Sequence, residues 1–244
     1  SGAAGITKTG DGILLLSGTN TLTGGIVISA GTLRANAAGS LGANTNTVSF
    51  GTGSTGVLDL MAGATTFTAL LNAANESGTI LVEPAGQGAG VTHTIGATTL
   101  GGGYTLTVKG GALVNSGTAQ LTTGAVTMTG AATLNLQAPA GGGATQLALG
   151  ALTMRGYNLT TSGAGAVSAG STSLGGALTI TVGASAPLTL GAFALGGSNL
   201  TTAGAGTLTA GATTLGGNVT FSVGSDSTLV LGALSDSGIR TITK

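Results

Sequence analysis

Leu147–Pro187, LALGALTMRGYNLTTSGAGAVSAGSTSLGGALTITVGASAP, realigns without a gap on Leu188–Thr228, LTLGAFALGGSNLTTAGAGTLTAGATTLGGNVTFSVGSDST. The offset is 188 − 147 = 41 residues, and LVLGAL from Leu229 opens a further copy at 229 − 188 = 41. Between the two copies Leu152 becomes Phe193, Val167 becomes Leu208 and Ile180 becomes Phe221, so these positions stay apolar while their volume changes and are expected to face inward. Arg155 becoming Gly196, Tyr157 becoming Ser198 and Ala184 becoming Ser225 is the tolerance expected of a solvent face. In Leu178–Val182 (LTITV) and Val219–Val223 (VTFSV) apolar and hydroxyl residues alternate with period two, the signature of a strand with one buried face. Gly-Gly and Ala-Gly pairs punctuate the strands and supply corners. A repeat of about 41 residues suits a propeller blade, a helix pair or two solenoid coils of roughly 20 residues each.

Composition chooses among these. The chain has 244 residues, of which 49 are Gly, while charged residues make up 5% and aromatics 2%. Gly interrupts nearly every window, which disfavours helix by about 1 kcal/mol per residue relative to Ala. A propeller would bring a richer aromatic signature. Disorder is excluded by 41% hydrophobic residues and a mean hydropathy of +0.52. Collagen is excluded because Gly has no three-residue period and Pro occurs three times. The sequence therefore predicts an all-β chain, a right-handed parallel β-helix (β-solenoid) of roughly 20 residues per coil, a rod of about 60 Å at ~4.8 Å per coil. A near-repeat of GALTM at Gly150 and GALTI at Gly176 divides the repeat unevenly, so coil boundaries stay open. The period weakens towards the N-terminus, where GATTLGGGYTLTV from Gly96 is similar to GATTLGGNVTFSV from Gly211.

The N-terminal stretch Thr7–Gly42, TKTGDGILLLSGTNTLTGGIVISAGTLRANAAGSLG, carries a second pattern. It resembles the passenger-associated strand repeat of bacterial autotransporters. Lys8, Gly10, Gly12, Leu14, Leu16, Gly18, Asn20, Thr21, Thr23, Gly24, Gly25, Ala30, Gly31, Thr32 and Leu33 stand where that family places them, and Leu22 replaces its usual aromatic. The remainder is similar to the looser Gly/Thr/Leu repeats of large surface adhesins and filamentous-haemagglutinin-like exoproteins. The resemblance implies a β-helical passenger exported to the bacterial cell surface; nothing in the chain resembles the membrane barrel that usually follows such passengers. A single solenoid over 1–244 is expected, with the passenger repeat at 7–42, degenerate coils at 43–146 with a loop insertion near 72–92, and two and a half of the long repeats at 147–244.

The ends resemble one another. Ser237–Lys244 (SGIRTITK) matches Ser1–Lys8 (SGAAGITK) at five of eight positions, as if the chain stopped where another unit begins. With Ser1 in place of an initiator Met, a processed product or an excised unit is expected. Either this is one unit of a tandem array or subunits stack end to end, through Ile6, Thr7 and Lys8 at one end and Ile239, Thr241, Ile242 and Thr243 at the other.

Catalytic constellations are sparse. The single His93 is expected at the surface or a coil corner, and its Ser and Thr neighbours carry no information in so hydroxyl-rich a chain. Asp59, Glu76 and Glu83 are the acids that coil stacking could gather. No Cys is present, and neither the calcium-binding nonapeptide nor a metal-ligand cluster occurs. Thr-x-Thr pairs at irregular spacing read as strand alternation, and Asn158 and Asn199, which share a repeat position, as corner caps. Six basic and six acidic side chains, scattered singly, leave no footprint for nucleic acid, and no apolar run is long enough to insert in a membrane. The expectation is a non-catalytic extracellular rod without cofactor, an adhesin stalk or stacking filament subunit, whose partner is itself end to end. The competing expectation is a module that binds a surface glycan or matrix.

Overall fold

A computed structural model describes residues 3–236 and 241–243. Its backbone winds through three parallel sheets: sheet 1, eleven strands from Ile6–Lys8 to Leu234–Ser235; sheet 2, eleven from Ile13–Leu16 to Ile242–Thr243; and sheet 3, eight from Thr65–Thr66 to Thr228–Leu231. Each strand pairs in parallel with the next visit of the chain to the same sheet, as expected for a right-handed parallel β-helix. Eleven strands on sheet 1 leave ten spacings, an axial rise of about 48 Å. The rod is thus shorter than an even division of the chain predicts, because some coils consume more chain than others.

The register fixes the coils. Leu152, Thr172 and Phe193 succeed one another on sheet 1, at offsets of 172 − 152 = 20 and 193 − 172 = 21. Thr213 and Leu234 follow at 20 and 21. The long repeat is thus two coils. The competing GALTM and GALTI match joins different faces: Leu152–Thr153 lies on sheet 1 and Leu178–Val182 on sheet 2. Earlier coils are longer, with offsets of 98 − 71 = 27 from Leu71 to Thr98, 126 − 98 = 28 from Thr98 to Val126 and 152 − 126 = 26 from Val126 to Leu152. The extra chain leaves the body between sheets 2 and 3, at 84–91, 111–117 and 138–143, where Gly88–Ala89 pairs with Val114–Ser116. Within 72–92, by contrast, Leu70–Ala73 and Gly78–Glu83 are ordinary coil strands. The first two coils have no strand on the third side.

Period-two alternation places one aliphatic ladder after another inside. On sheet 2, Leu33, Leu58, Ile80, Val108 and Leu136 follow one another in register and are all fully buried. Leu152, Phe193, Val167, Leu208, Ile180 and Phe221 all face the interior, while Arg155 and Tyr157 face solvent. Thr98, Thr172 and Thr213 stand inside sheet 1, and each hydroxyl turns back onto its own chain, to the carbonyls of Gly96, Gly170 and Gly211 at 3.0–3.3 Å. That satisfies a polar atom the apolar interior would otherwise penalise.

Candidate functional site

The N-terminal unit shows what its motif is for. Lys8 ends the first strand of sheet 1 at an inward station and is only 6% exposed. Its Nζ donates to the carbonyls of Thr9 at 2.9 Å, Gly10 at 2.6 Å and Ala30 at 3.0 Å, closing the corner between sheets 1 and 2 across two coils. Gly31 stands directly above with φ 66°, and a Cβ there would strike Gly10 O, Gly12 O and Lys8 Nζ. Asn20 donates to Ser40 O at 2.7 Å, and Asn46, buried, receives Gly25 N–H at 2.8 Å and donates to Leu41 O at 2.7 Å. These bonds take the place of a strand ladder on the third side.

The same logic appears at the other end. Asn158 Oδ1 accepts from Thr179 N–H at 2.8 Å, Asn199 Oδ1 from Thr220 N–H at 2.9 Å and Asn218 Oδ1 from Thr241 N–H at 3.1 Å, each reaching the following coil. These three Asn are corner pins.

The proposed stacking residues do not share a station. Ile6 is half-buried on sheet 1, Thr7 points outward, and Lys8 is engaged by its corner. Ile242–Thr243 lies on sheet 2, paired with Val219–Thr220, because Leu234 already fills the last station of sheet 1. Thr241 precedes it as an exposed corner residue, and Ile239 lies outside the described residues. The likeness of the two ends in sequence is therefore not a likeness in place. Exposed apolar side chains nevertheless lie at both ends of the described coils. Ile13 (60% exposed) and Leu15 lie at one, and Leu234 and Ile242 at the other, where Phe221, Leu229 and Leu231 help line a hollow of about 460 Å³.

Buried ionisable groups gather in the irregular middle. Asp59 sits on the outer side of sheet 2 beneath Arg34, whose Nε donates to its Oδ2 at 2.7 Å. Its Oδ1 has no partner, and burial raises its pKa above the usual carboxylate value against the opposing pull of Arg34. Glu83 lies one coil on, close enough to repel that charge, and its Oε1 accepts Leu113 N–H at 3.4 Å. Glu76 sits apart at a corner between sheets 1 and 2, so the three acids do not converge on one groove.

His93 corrects the expectation of a surface residue. It is fully buried on sheet 3, in a ladder that continues as Leu121, Leu147, Val167, Leu188 and Leu208. Strand parity decides this, because Ile95 two residues on also faces inward. Nε2 bonds Glu83 O at 2.9 Å, Phe67 meets the ring edge-on with centroids 5.5 Å apart, and Nδ1 has no partner. Burial lowers its pKa below the usual histidine value, which favours the neutral imidazole with its proton on Nε2.

Among the described residues no group of three or more His, Cys, Asp or Glu is placed to hold a metal ion. No helix among them is long and apolar enough to cross a membrane.

The model of one protein family, the passenger-associated-transport-repeat, matches residues 6–35, which end with the second strand of sheet 2. The chain carries an autotransporter passenger repeat. A stretch of 53 residues is 47% identical to a protein of Brucella suis biovar 1 (strain 1330) described as the adhesin BmaC autotransporter. The match covers 22% of this chain and 2% of that relative. No solved structure matches. A passenger repeat places its segment outside the cell, at the surface or in the medium.

Proposed function

We propose that this chain is a rod-like section of an adhesin-type surface passenger, non-catalytic, whose task is to give length and stiffness. The observation that carries the reading is continuity: the sheets pair coil to coil over an aliphatic interior along the whole described length. In such a solenoid every coil contacts only its neighbours, so stiffness follows from local hydrogen bonds and packing. Corner devices, Lys8 at one end and Asn158, Asn199 and Asn218 at the other, serve the register of the coils. Negative-stain electron microscopy of the purified chain tests the reading: rods about 50 Å long are expected, and round particles would refute it.

A second reading is favoured by the ends. An uncovered parallel edge presents unpaired N–H and C=O groups. Leu234–Ser235 lies on the same sheet as Ile6–Lys8, and Ile242–Thr243 on the same sheet as Ile13–Leu16. Stacking through sheets 1 and 2 would set Leu234 over Ile6 and Ile242 near Leu14, burying apolar side chains that are exposed or half-buried in one chain. Filaments with an axial repeat of one molecule would support this form of the rod; concentration-independent single rods would reject it. Leu234→Lys and Ile242→Lys would dissolve such filaments and leave the rods.

A further inference from the structure

We propose that the corner bearing Arg155 and Tyr157, with the shallow hollow of small side chains beside it on sheet 1, binds an acidic linear polysaccharide through its uronate carboxylates. Arg155 is, among the described residues, the one non-Gly residue with positive φ, at 54°. The following coils turn the same corner with Gly175, Gly196 and Gly216, at 67°, 61° and 68°. An arginine there is strained where glycine is not, and nothing in the fold compensates. Its side chain is exposed and makes no hydrogen bond or ion pair within the described chain. Tyr157, two residues on, is 39% exposed and serves no core. The next repeat replaces the two with Gly196 and Ser198, so both depart together from what the architecture needs. Strain retained at an exposed residue without structural return points to a ligand.

The surroundings choose the ligand. No Asp or Glu occurs between Glu83 and Asp226, so the positive charge of Arg155 has no acidic neighbour in sequence over the surrounding coils and is free for a negatively charged partner. Beside the corner, Thr153, Ser171, Ser173 and Thr214 alternate with Ala151, Ala192 and Ala194 along an open hollow of about 210 Å³ whose floor is largely apolar, as the faces of sugar rings are. The hollow runs over four strands of sheet 1, about 14 Å along the axis. Its hydroxyls both donate and accept, as sugar hydroxyls require. A guanidinium grips a carboxylate with two parallel bonds, and a tyrosine face covers the apolar side of a sugar ring while its hydroxyl stays wet. A long, shallow, open site fits a polymer and not a compact metabolite.

The test is titration calorimetry of the whole chain with a galacturonate hexasaccharide and, in parallel, a neutral glucose hexasaccharide, at low and high salt. The acidic sugar is expected to bind, more weakly at high salt, and the neutral one not to. R155G and Y157S install residues the next repeat already uses, so both should fold. R155G should weaken binding roughly tenfold or more, the loss of about one charge-assisted contact, while melting at a higher temperature as the strained corner relaxes. Y157S should weaken binding less. Equal binding of both sugars, no binding at millimolar sugar, or binding unchanged in R155G would overturn the proposal. The rod reading is judged separately by microscopy of the same samples: rods without sugar binding sink the site alone, whereas round particles sink the rod.

Discussion

From Val48 to Leu152 the coils are long and uneven, they carry the projecting segments, and they hold the buried Asp59, Glu83 and His93. From Leu152 to Leu234 the coils keep an even length, and the buried polar side chains are four threonines, Thr161, Thr172, Thr202 and Thr213. Both regions keep the same three sheets in register. The regular coils are held by repetition, with equivalent stations recurring every second coil. The irregular coils are held by particular polar pairs, and the irregularity is a cost met by individual residues. In a solenoid these differences stay local, so they are best measured coil by coil. Hydrogen exchange resolves that, whereas a single unfolding free energy is ill-defined for a long repeat array.

The largest effect is expected in the regular half. Phe193 is 1% exposed and fills a station held by threonine in the coils on either side, Thr172 and Thr213. Phe193→Ala would leave a cavity its small neighbours cannot close, at about 3–5 kcal/mol. Protection should fall from Leu174 to Leu215 and stay unchanged before Val126. In the irregular half Arg34→Met removes the cation over Asp59, whose carboxylate is 1% exposed. An uncompensated buried charge costs about 3 kcal/mol or more, and the loss should centre on Thr32–Met61. Asp59→Leu in the same background should recover much of it; failure to recover would mean that Arg34 acts through packing instead of charge.

The regular half is legible in the sequence because each position is stated twice. Comparison of the copies separates inward Leu152, Val167 and Ile180 from outward Arg155 and Tyr157 without any coil being placed. What stays illegible is the phase of the coil, since GALTM and GALTI look alike while lying on different sheets. His93 escapes the sequence for a related reason: its strand, Thr92–Ile95, has one apolar residue and so barely reports its parity. The signal that could have placed it is Ile95, two positions away. The ends mislead in the opposite sense, because identity of a short motif says nothing about which sheet receives it.

His93 offers a sharper contrast between the halves, through pH. Its folded-state pKa is depressed by burial below the ordinary 6.5, so the unfolded chain takes up a proton in a range where the folded one does not. The stability it permits is present above 6.5 and falls as pH drops towards the folded value. One proton amounts to at most about 1.4 kcal/mol per pH unit across that window. Asp59 works in the other direction, since a raised carboxylate pKa means that acid relieves its burial. His93→Leu isolates the imidazole, because Leu suits the ladder of Leu121 and Leu147 and leaves Asp59 in place. Between pH 7 and pH 5 the wild type should lose protection around Thr92–Ile95 and the variant should not, while Leu200–Ala210 is flat in both. Equal acid sensitivity in the two proteins would mean that the loss does not arise from His93.

The smallest effect tests whether the corner pins matter where repetition already holds the coils. Asn199 Oδ1 receives Thr220 N–H at an exposed corner, and Asn158 does the same two coils earlier. Asn199→Ala should cost about 1 kcal/mol, the net worth of one such bond with water able to replace it. The coils next to Asn199 are also joined by strand pairing from Leu200 to Thr202, so the loss should appear as faster exchange at Thr220 without slippage of register. Asn46→Ala in the N-terminal unit removes an equally local side chain, but one that is fully buried and ties Gly25 N–H to Leu41 O where no strand pairs. Its cost should therefore exceed that of Asn199→Ala several-fold, with exchange quickened at Gly25 and through Leu41–Asn46. Similar costs at the two positions would mean that the strandless third side of the first coils is held by its backbone bonds, Asn20 N–H to Gly39 O and Ala43 N–H to Leu22 O, and not by its asparagines.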